Sequence, residues 1–166
     1  MISYGKQTID NDDLKAVIDA LKNDLITQGP IVENFEISLA SYFGSKYCCA
    51  VSSGTAALHL IGKALGWGAG DIILTSPITF LASANSILYS EATPDFVDID
   101  PLTYNIDINQ LEEKVTFYKS EGKKIKAVIA VDYAGNPCDW ESLRYLADKY
   151  DFVLINDNCL NSTVIT

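Results

Sequence analysis

The sequence predicts an α/β fold in three layers, with helices on both faces of a mostly parallel sheet. Three observations carry this. Short apolar runs recur at residues 47–51, 72–74, 96–99, 127–131 and 152–155, lengths suited to buried strands. Stretches of helical period lie between them, at 55–65, 81–89, 108–119 and 139–149. Strand and helix therefore alternate, as they do where right-handed crossovers join parallel strands.

Taken in order, Asp10 is placed to cap a helix in which Leu14, Val17, Ile18 and Leu21 share one stripe. Thr27, Gln28 and Gly29 interrupt that pattern. Pro30 suits the first turn of a second helix carrying Ile31, Phe35 and Leu39. The regular alternation begins at residue 47 and contains no repeat, low-complexity tract or linker. After the run at 152–155 the chain has only a short segment ending CLNSTVIT (159–166). With no helix there to cover the sheet, the expectation is an interrupted domain.

Composition narrows the partners. A chain of 166 residues with 48% hydrophobic and 20% charged residues has the balance of a globular domain. A net charge of −10 argues against nucleic acid, because phosphate backbones need clustered Lys and Arg. The opening MISYGKQTIDNDD is polar and acidic, unlike a secretion signal. No apolar run nears the roughly 20 residues of a membrane helix. Cys48, Cys49, Cys138 and Cys159 fit no zinc spacing, so no metal site is expected. They read as reduced thiols of a cytoplasmic protein.

The residues that can carry chemistry fall just after the expected strands, along the edge where a parallel sheet binds ligands. Ser53, Gly54, Thr55 and Ala56 open the first crossover helix. A glycine lets the backbone approach a ligand, and a helix N-terminus offers free N–H groups to an anion. The same residues also serve as an ordinary helix cap. Phe80, past the second strand, is either a stacking face for a flat heterocycle or a core aromatic. Asp157 ends the last strand, where a carboxylate can hold a protonated pyridine nitrogen or cap a turn. The single histidine, His59, is given no role.

The segments SSGTAAL (52–58), TSPITFLASAN (75–85), FVDID (96–100) and VDYAG followed by Asn136, Pro137, Cys138 and Asp139 occur in a fixed order, with ISYG (2–5) and LITQGP (25–30) before them. In this the chain resembles the pyridoxal-phosphate-dependent sugar aminotransferases of fold-type I, the DegT/DnrJ/EryC1/StrS type. Its opening and its VDYAGNPCD stretch are most similar to the branch acting in pseudaminic acid synthesis. That branch aminates C4 of a UDP-linked 4-keto-6-deoxy-N-acetyl-hexosamine with glutamate as donor. The resemblance implies that Gly54, Thr55 and Ala56 hold the cofactor phosphate, Phe80 stacks on its ring and Asp157 binds its nitrogen. It implies that Tyr4, with Asp24, Leu25, Ile26 and Thr27, touches the sugar nucleotide, and that the family enzyme is a homodimer. It divides the chain into a helix and substrate loop (1–30), part of the cofactor-binding large domain (31–159) and a non-matching tail (160–166).

Two departures shape the expectation. The family pattern continues past Asp157 with a histidine, where this chain has Leu160, and later supplies the lysine that anchors the cofactor. No lysine follows Lys149 here, and Lys63 and Lys149 lie on helices. The expected protein is thus a truncated aminotransferase, inactive by itself. A non-catalytic module binding a phosphorylated ligand, or a pseudo-enzyme partner of an intact paralogue, is the alternative.

Overall fold

A computed structural model describes residues 7–27 and 29–158, so Tyr4 and the 160–166 tail lie outside the described residues. The chain divides after Ala50 into two compact units.

The first unit holds α1 (Asn11–Leu21) and α2 (Pro30–Phe43). Asp10 caps α1 as expected: its carboxylate accepts the N–H groups of Asp12 and Asp13, at 2.9 and 3.0 Å. The Asp13 side chain accepts the N–H of Asp10 in return. Pro30 occupies the first turn of α2, and Gly44, in the left-handed region at φ 63°, ends it. The α1 stripe of Leu14, Val17, Ile18 and Leu21 is exposed.

The second unit contains α3 (Gly54–Ala64), β1 (Ile72–Thr75), α4 (Ala82–Tyr89), β2 (Thr93–Phe96), α5 (Ile108–Ser120), β3 (Ile125–Val131), α6 (Trp140–Tyr150) and β4 (Val153–Asp157). The four strands form one sheet in the order β2-β1-β3-β4, with every neighbouring pair parallel. Ile73, Ala127, Ile129 and Ile155 pack toward Leu58 of α3 and Ile87 of α4. Ile72, Leu74, Val128 and Ala130 pack toward Leu111 and Val115 of α5 and Leu143 and Leu146 of α6. Alternate residues of each strand thus serve opposite faces, which makes the three-layer α/β/α arrangement. Between Ile72 and Ile73 the register with β3 slips, so Ile125 and Ala127 answer consecutive residues of β1.

Two strand expectations are corrected. Residues 47–51 form no strand, and the N–H of Ala50 donates to the Glu36 carboxylate at 2.8 Å instead of to a sheet neighbour. An apolar run marks a strand only where a ladder receives its backbone groups. Ser53 and the α3 N-terminus therefore do not follow a strand end. The run at 96–99 is displaced as well: β2 spans Thr93–Phe96, set by its register with Ile72–Thr75 of β1. β2 is an edge strand of the sheet, which accounts for its polar Thr93, Pro94 and Asp95.

Candidate functional site

From β1 the chain crosses through α4 on one face to β2; from β3 it crosses through α6 on the other face to β4. The adjacent strands β1 and β3 thus lead in opposite directions. A crevice opens at the carboxyl ends of such a pair, and it is the usual ligand position in this topology. Phe80 lies in the loop after β1, Tyr133 in the loop after β3, and Asp157 closes β4.

Asp157 is 8% exposed and falls on the α3/α4 face, in step with Ile155. There the hydroxyl of Ser83, in the first turn of α4, donates to its Oδ2 at 2.7 Å. Ser83 is wholly buried, and its oxygen lies 2.8 Å from the hydroxyl of Thr79. Its single proton is directed to Asp157, so Thr79 is the donor to Ser83. Thr75, ending β1 in step with Ile73, is also wholly buried, and its hydroxyl has no partner among the described residues. Such an orphan at the mouth of a switch-point crevice is a polar group that a ligand can satisfy.

Phe80 is 75% exposed, which removes the core reading and leaves an aromatic face open to a flat ring. Gly54, Thr55 and Ala56 form the first turn of α3. Ser53 caps it, its Oγ accepting the N–H of Ala56 at 3.1 Å. The cap reading of Ser53 is therefore observed, and the remaining first-turn N–H groups keep their pull on an anion. A helix that packs on a sheet and feeds a strand through a short turn, as α3 feeds β1, runs antiparallel to that strand, so this N-terminus belongs to the carboxyl side of the sheet. Asp24, Leu25, Ile26 and Thr27 lie in the first unit, as an exposed turn between α1 and α2. Leu25 and Ile26 line a small cleft there of about 120 Å³ with Leu21, Ile31 and Val32.

The loop after β3 is held by Asp132, which belongs to the VDYAG motif, and by Asn105, which the sequence reading did not single out. Asp132 is buried, and its Oδ1 accepts the N–H of Cys138 at 2.9 Å and the indole N–H of Trp140 at 3.1 Å. Asn105, 3% exposed, accepts the N–H of Tyr133 and donates to the carbonyls of Asn136 and Pro137. Ala134, at φ 51°, takes the left-handed conformation that this bracing requires. Tyr133 then lies with its ring 5.9 Å from that of Tyr104. Burial, and next the negative charge of Asp132, pushes the Cys138 thiol up to about 12, so it is no nucleophile.

Lys149 and Lys63 are held away from the role of amine donor by their places in the fold. Lys149 pairs with Glu112 at 2.7 Å, and hydrogen bonds to Glu112 and Tyr150 hold it above the ordinary lysine range. Lys63 is in the last turn of α3, about 14 Å along the helix from its N-terminus. Both lie on helices and neither is in a loop that follows a strand, where a cofactor carbonyl would need an amine. Among the described residues no group of His, Cys, Asp and Glu is arranged to hold a metal, and no helix is long and apolar enough to cross a membrane. Thr79 lies in the segment 75–80 that the sequence places after a strand, whereas Ser83, in the first turn of α4, carries no local signal of its contact with Asp157.

Comparison with known proteins places this geometry. The model of the DegT/DnrJ/EryC1/StrS aminotransferase family matches residues 7–162. A UDP-4-amino-4,6-dideoxy-N-acetyl-beta-L-altrosamine transaminase of Campylobacter jejuni is 40% identical over 157 residues, 95% of this chain and 40% of the relative. Among solved structures, the Helicobacter pylori PseC aminotransferase involved in the biosynthesis of pseudoaminic acid superposes with a TM-score of 0.82 at 31% identity. The match covers 93% of this chain and 40% of that one. A sugar aminotransferase, Spr1654, of Streptococcus pneumoniae in its PLP-form superposes with a TM-score of 0.80 at 33% identity, over 92% of this chain and 38% of that one. The chain spans between 37% and 41% of the length of the curated relatives it matches.

Proposed function

The chain belongs to the DegT/DnrJ/EryC1/StrS aminotransferase family, and from that premise we propose that it seats pyridoxal 5′-phosphate at the carboxyl edge of its sheet, as the cofactor-binding part of a sugar-nucleotide aminotransferase. Pyridoxal phosphate is the cofactor of the family, and when bound it supplies an electron sink for breaking bonds at the carbon that bears the amino group. The observation that carries the reading is the buried Asp157 carboxylate, fixed by Ser83 at the end of β4. A carboxylate held there binds a protonated ring nitrogen and keeps the proton on it.

The other residues fit the same group. The first turn of α3, Gly54, Thr55 and Ala56, receives the phosphate on its N–H groups, a contribution of roughly 0.3–1 kcal/mol and up to ~2 when partly buried. Phe80 offers its exposed ring as a stacking face. The orphaned hydroxyl of Thr75 gains a partner.

For the whole protein we propose transfer of an amino group from glutamate to C4 of a UDP-linked 4-keto-6-deoxy-N-acetyl-hexosamine, in surface glycan or pseudaminic acid synthesis in the cytoplasm. Similarity to the altrosamine transaminase supports this branch. Residues 1–30, with Tyr4, Asp24, Leu25, Ile26 and Thr27, would serve the sugar nucleotide, and 31–159 the cofactor. The exposed apolar stripe of α1 supports assembly as a homodimer. Among the described residues no lysine lies in a loop that follows a strand, and this supports the reading that the stretch by itself binds the cofactor without turnover.

The test is a titration of the chain with pyridoxal 5′-phosphate and with phosphate-free pyridoxal, followed by cofactor fluorescence. Saturable binding that needs the phosphate and is weakened at least tenfold in Asp157→Asn is expected. Equal binding of both probes, or an unaffected Asp157→Asn, overturns the reading. In the same samples, glutamate and the keto-sugar nucleotide are expected to give no amino transfer.

A further inference from the structure

We propose that Thr79 and Ser83 are positioning residues: a two-hydroxyl relay that sets the orientation of the Asp157 carboxylate toward the ring nitrogen of the bound cofactor. The inference rests on the cofactor reading above and deepens it. Asp157 comes from β4, whereas both hydroxyls belong to the segment that leaves β1. The first turn of α4 and the end of β4 are thereby tied together across 74 residues of sequence.

Each link has one direction. Ser83 donates its only proton to Asp157 Oδ2 at 2.7 Å, so the 2.8 Å contact to Thr79 is a donation from Thr79. The first of these bonds ends on a charged acceptor inside a buried site, where such bonds are short and strong. Donation from a hydroxyl that is itself held in place sets the rotation of the carboxylate that receives it. The Ser83 hydroxyl is wholly buried, so its position is fixed by packing and not by solvent. It is also held from its own backbone: its N–H donates to the Phe80 carbonyl at 3.1 Å, and its carbonyl accepts from Ser86. Thr79 adjoins Phe80. The stacking face and the relay that meets the ring-nitrogen partner therefore leave β1 on one segment.

A structural hydroxyl and a positioning hydroxyl differ in what they do to the bound cofactor. The chain, Ser83→Ala, Ser83→Thr, Thr79→Val and Asp157→Asn are each titrated with pyridoxal 5′-phosphate. The absorption of the bound cofactor is then recorded against pH, with thermal melts in parallel. The expected result is that Ser83→Ala weakens binding by about tenfold. It lowers the pH at which the bound ring nitrogen loses its proton by about one unit. Thr79→Val, which keeps its shape, gives the same shift in smaller measure, and Ser83→Thr restores the native midpoint. A native midpoint in Ser83→Ala and Thr79→Val, with only the melts changed, overturns the relay while Asp157→Asn still reports on the cofactor site. Absence of saturable binding by the unsubstituted chain overturns both readings together.

Discussion

Asn105 and Tyr133 are joined across 28 residues of sequence: the Tyr133 N–H donates to the Asn105 side-chain oxygen at 3.0 Å. The same carboxamide donates to the carbonyls of Asn136 and Pro137, at 3.0 and 2.9 Å. One buried side chain thus satisfies three backbone groups of the loop that follows β3, and that loop borders the switch-point crevice.

Removing this brace should cost stability. In Asn105→Ala, one N–H and two carbonyls of a part-buried loop lose their partner, and about 1–3 kcal/mol should be lost. Asn105→Asp keeps an acceptor for Tyr133 but turns a second oxygen toward two carbonyls, so it should be no better than alanine. Urea denaturation of the three proteins measures this. A native-like Asn105→Asp would mean that the donated bonds contribute nothing.

Ser53 separates capping from anion binding. Ser53→Ala removes the acceptor for the Ala56 N–H and should cost about 1 kcal/mol. Ser53→Asp is an equally good cap, so its melting point should stay native. It places a negative charge where the cofactor phosphate is proposed to lie, and pyridoxal phosphate affinity should fall in both chemical denaturation-controlled and native titrations. If Ser53→Asp binds the cofactor as the native chain does, the phosphate is not at α3.

Phe80 gives the converse pattern. Its ring is mostly exposed, so Phe80→Ala should change stability by no more than about 0.5 kcal/mol. Loss of a stacking face should weaken cofactor binding by roughly 2- to 12-fold, from the 0.5–1.5 kcal/mol typical of such pairs. A large loss of stability with unchanged binding would return Phe80 to the core.

Much of this architecture is legible in the sequence. The cap at Asp10, Pro30 in the first turn of α2, and the helices α3 to α6 follow from local chemistry and period. They lie within one or two residues of their expected bounds. Two strands did not follow, because strand existence depends on a neighbour: Ala50 finds the Glu36 side chain, and β2 is placed by its register with β1. At the site, Asp157 and Phe80 stand at strand ends that apolar runs reveal. Ser83, Asn105 and Asp132 act through contacts 74, 28 and 8 residues away, which neither period nor composition encodes.

Alkaline pH should weaken the second unit. Burial, reinforced by Asp132, raises the Cys138 thiol to about 12, and the bond to Asp95 raises the Tyr118 hydroxyl to about 12. Between about pH 8.5 and 12 the unfolded chain releases protons that the folded chain retains. It then binds fewer protons than the folded state, so stability falls as pH rises. Melting points from pH 7 to 10.5 should decline, less steeply in Cys138→Ala. At pH 8, iodoacetamide should label the exposed Cys49 well before Cys138.

The last prediction concerns α1. Leu14, Val17, Ile18 and Leu21 follow the helical i, i+3, i+4, i+7 spacing and are each at least half exposed. A continuous apolar face of this kind drives association, while a net charge of −10 opposes it through repulsion between copies. The balance should shift with salt: at 0.01 M ionic strength the charges repel over about 30 Å, and at 0.15 M over about 8 Å. Sedimentation velocity should therefore show association that grows with protein concentration and is stronger at 0.15 M than at 0.01 M. Val17→Lys with Ile18→Glu leaves net charge unchanged and helix propensity nearly so, but breaks the stripe. That double variant should sediment as a monomer at both salt concentrations. A native chain that is monomeric throughout would remove the support that the α1 stripe lends to a homodimer.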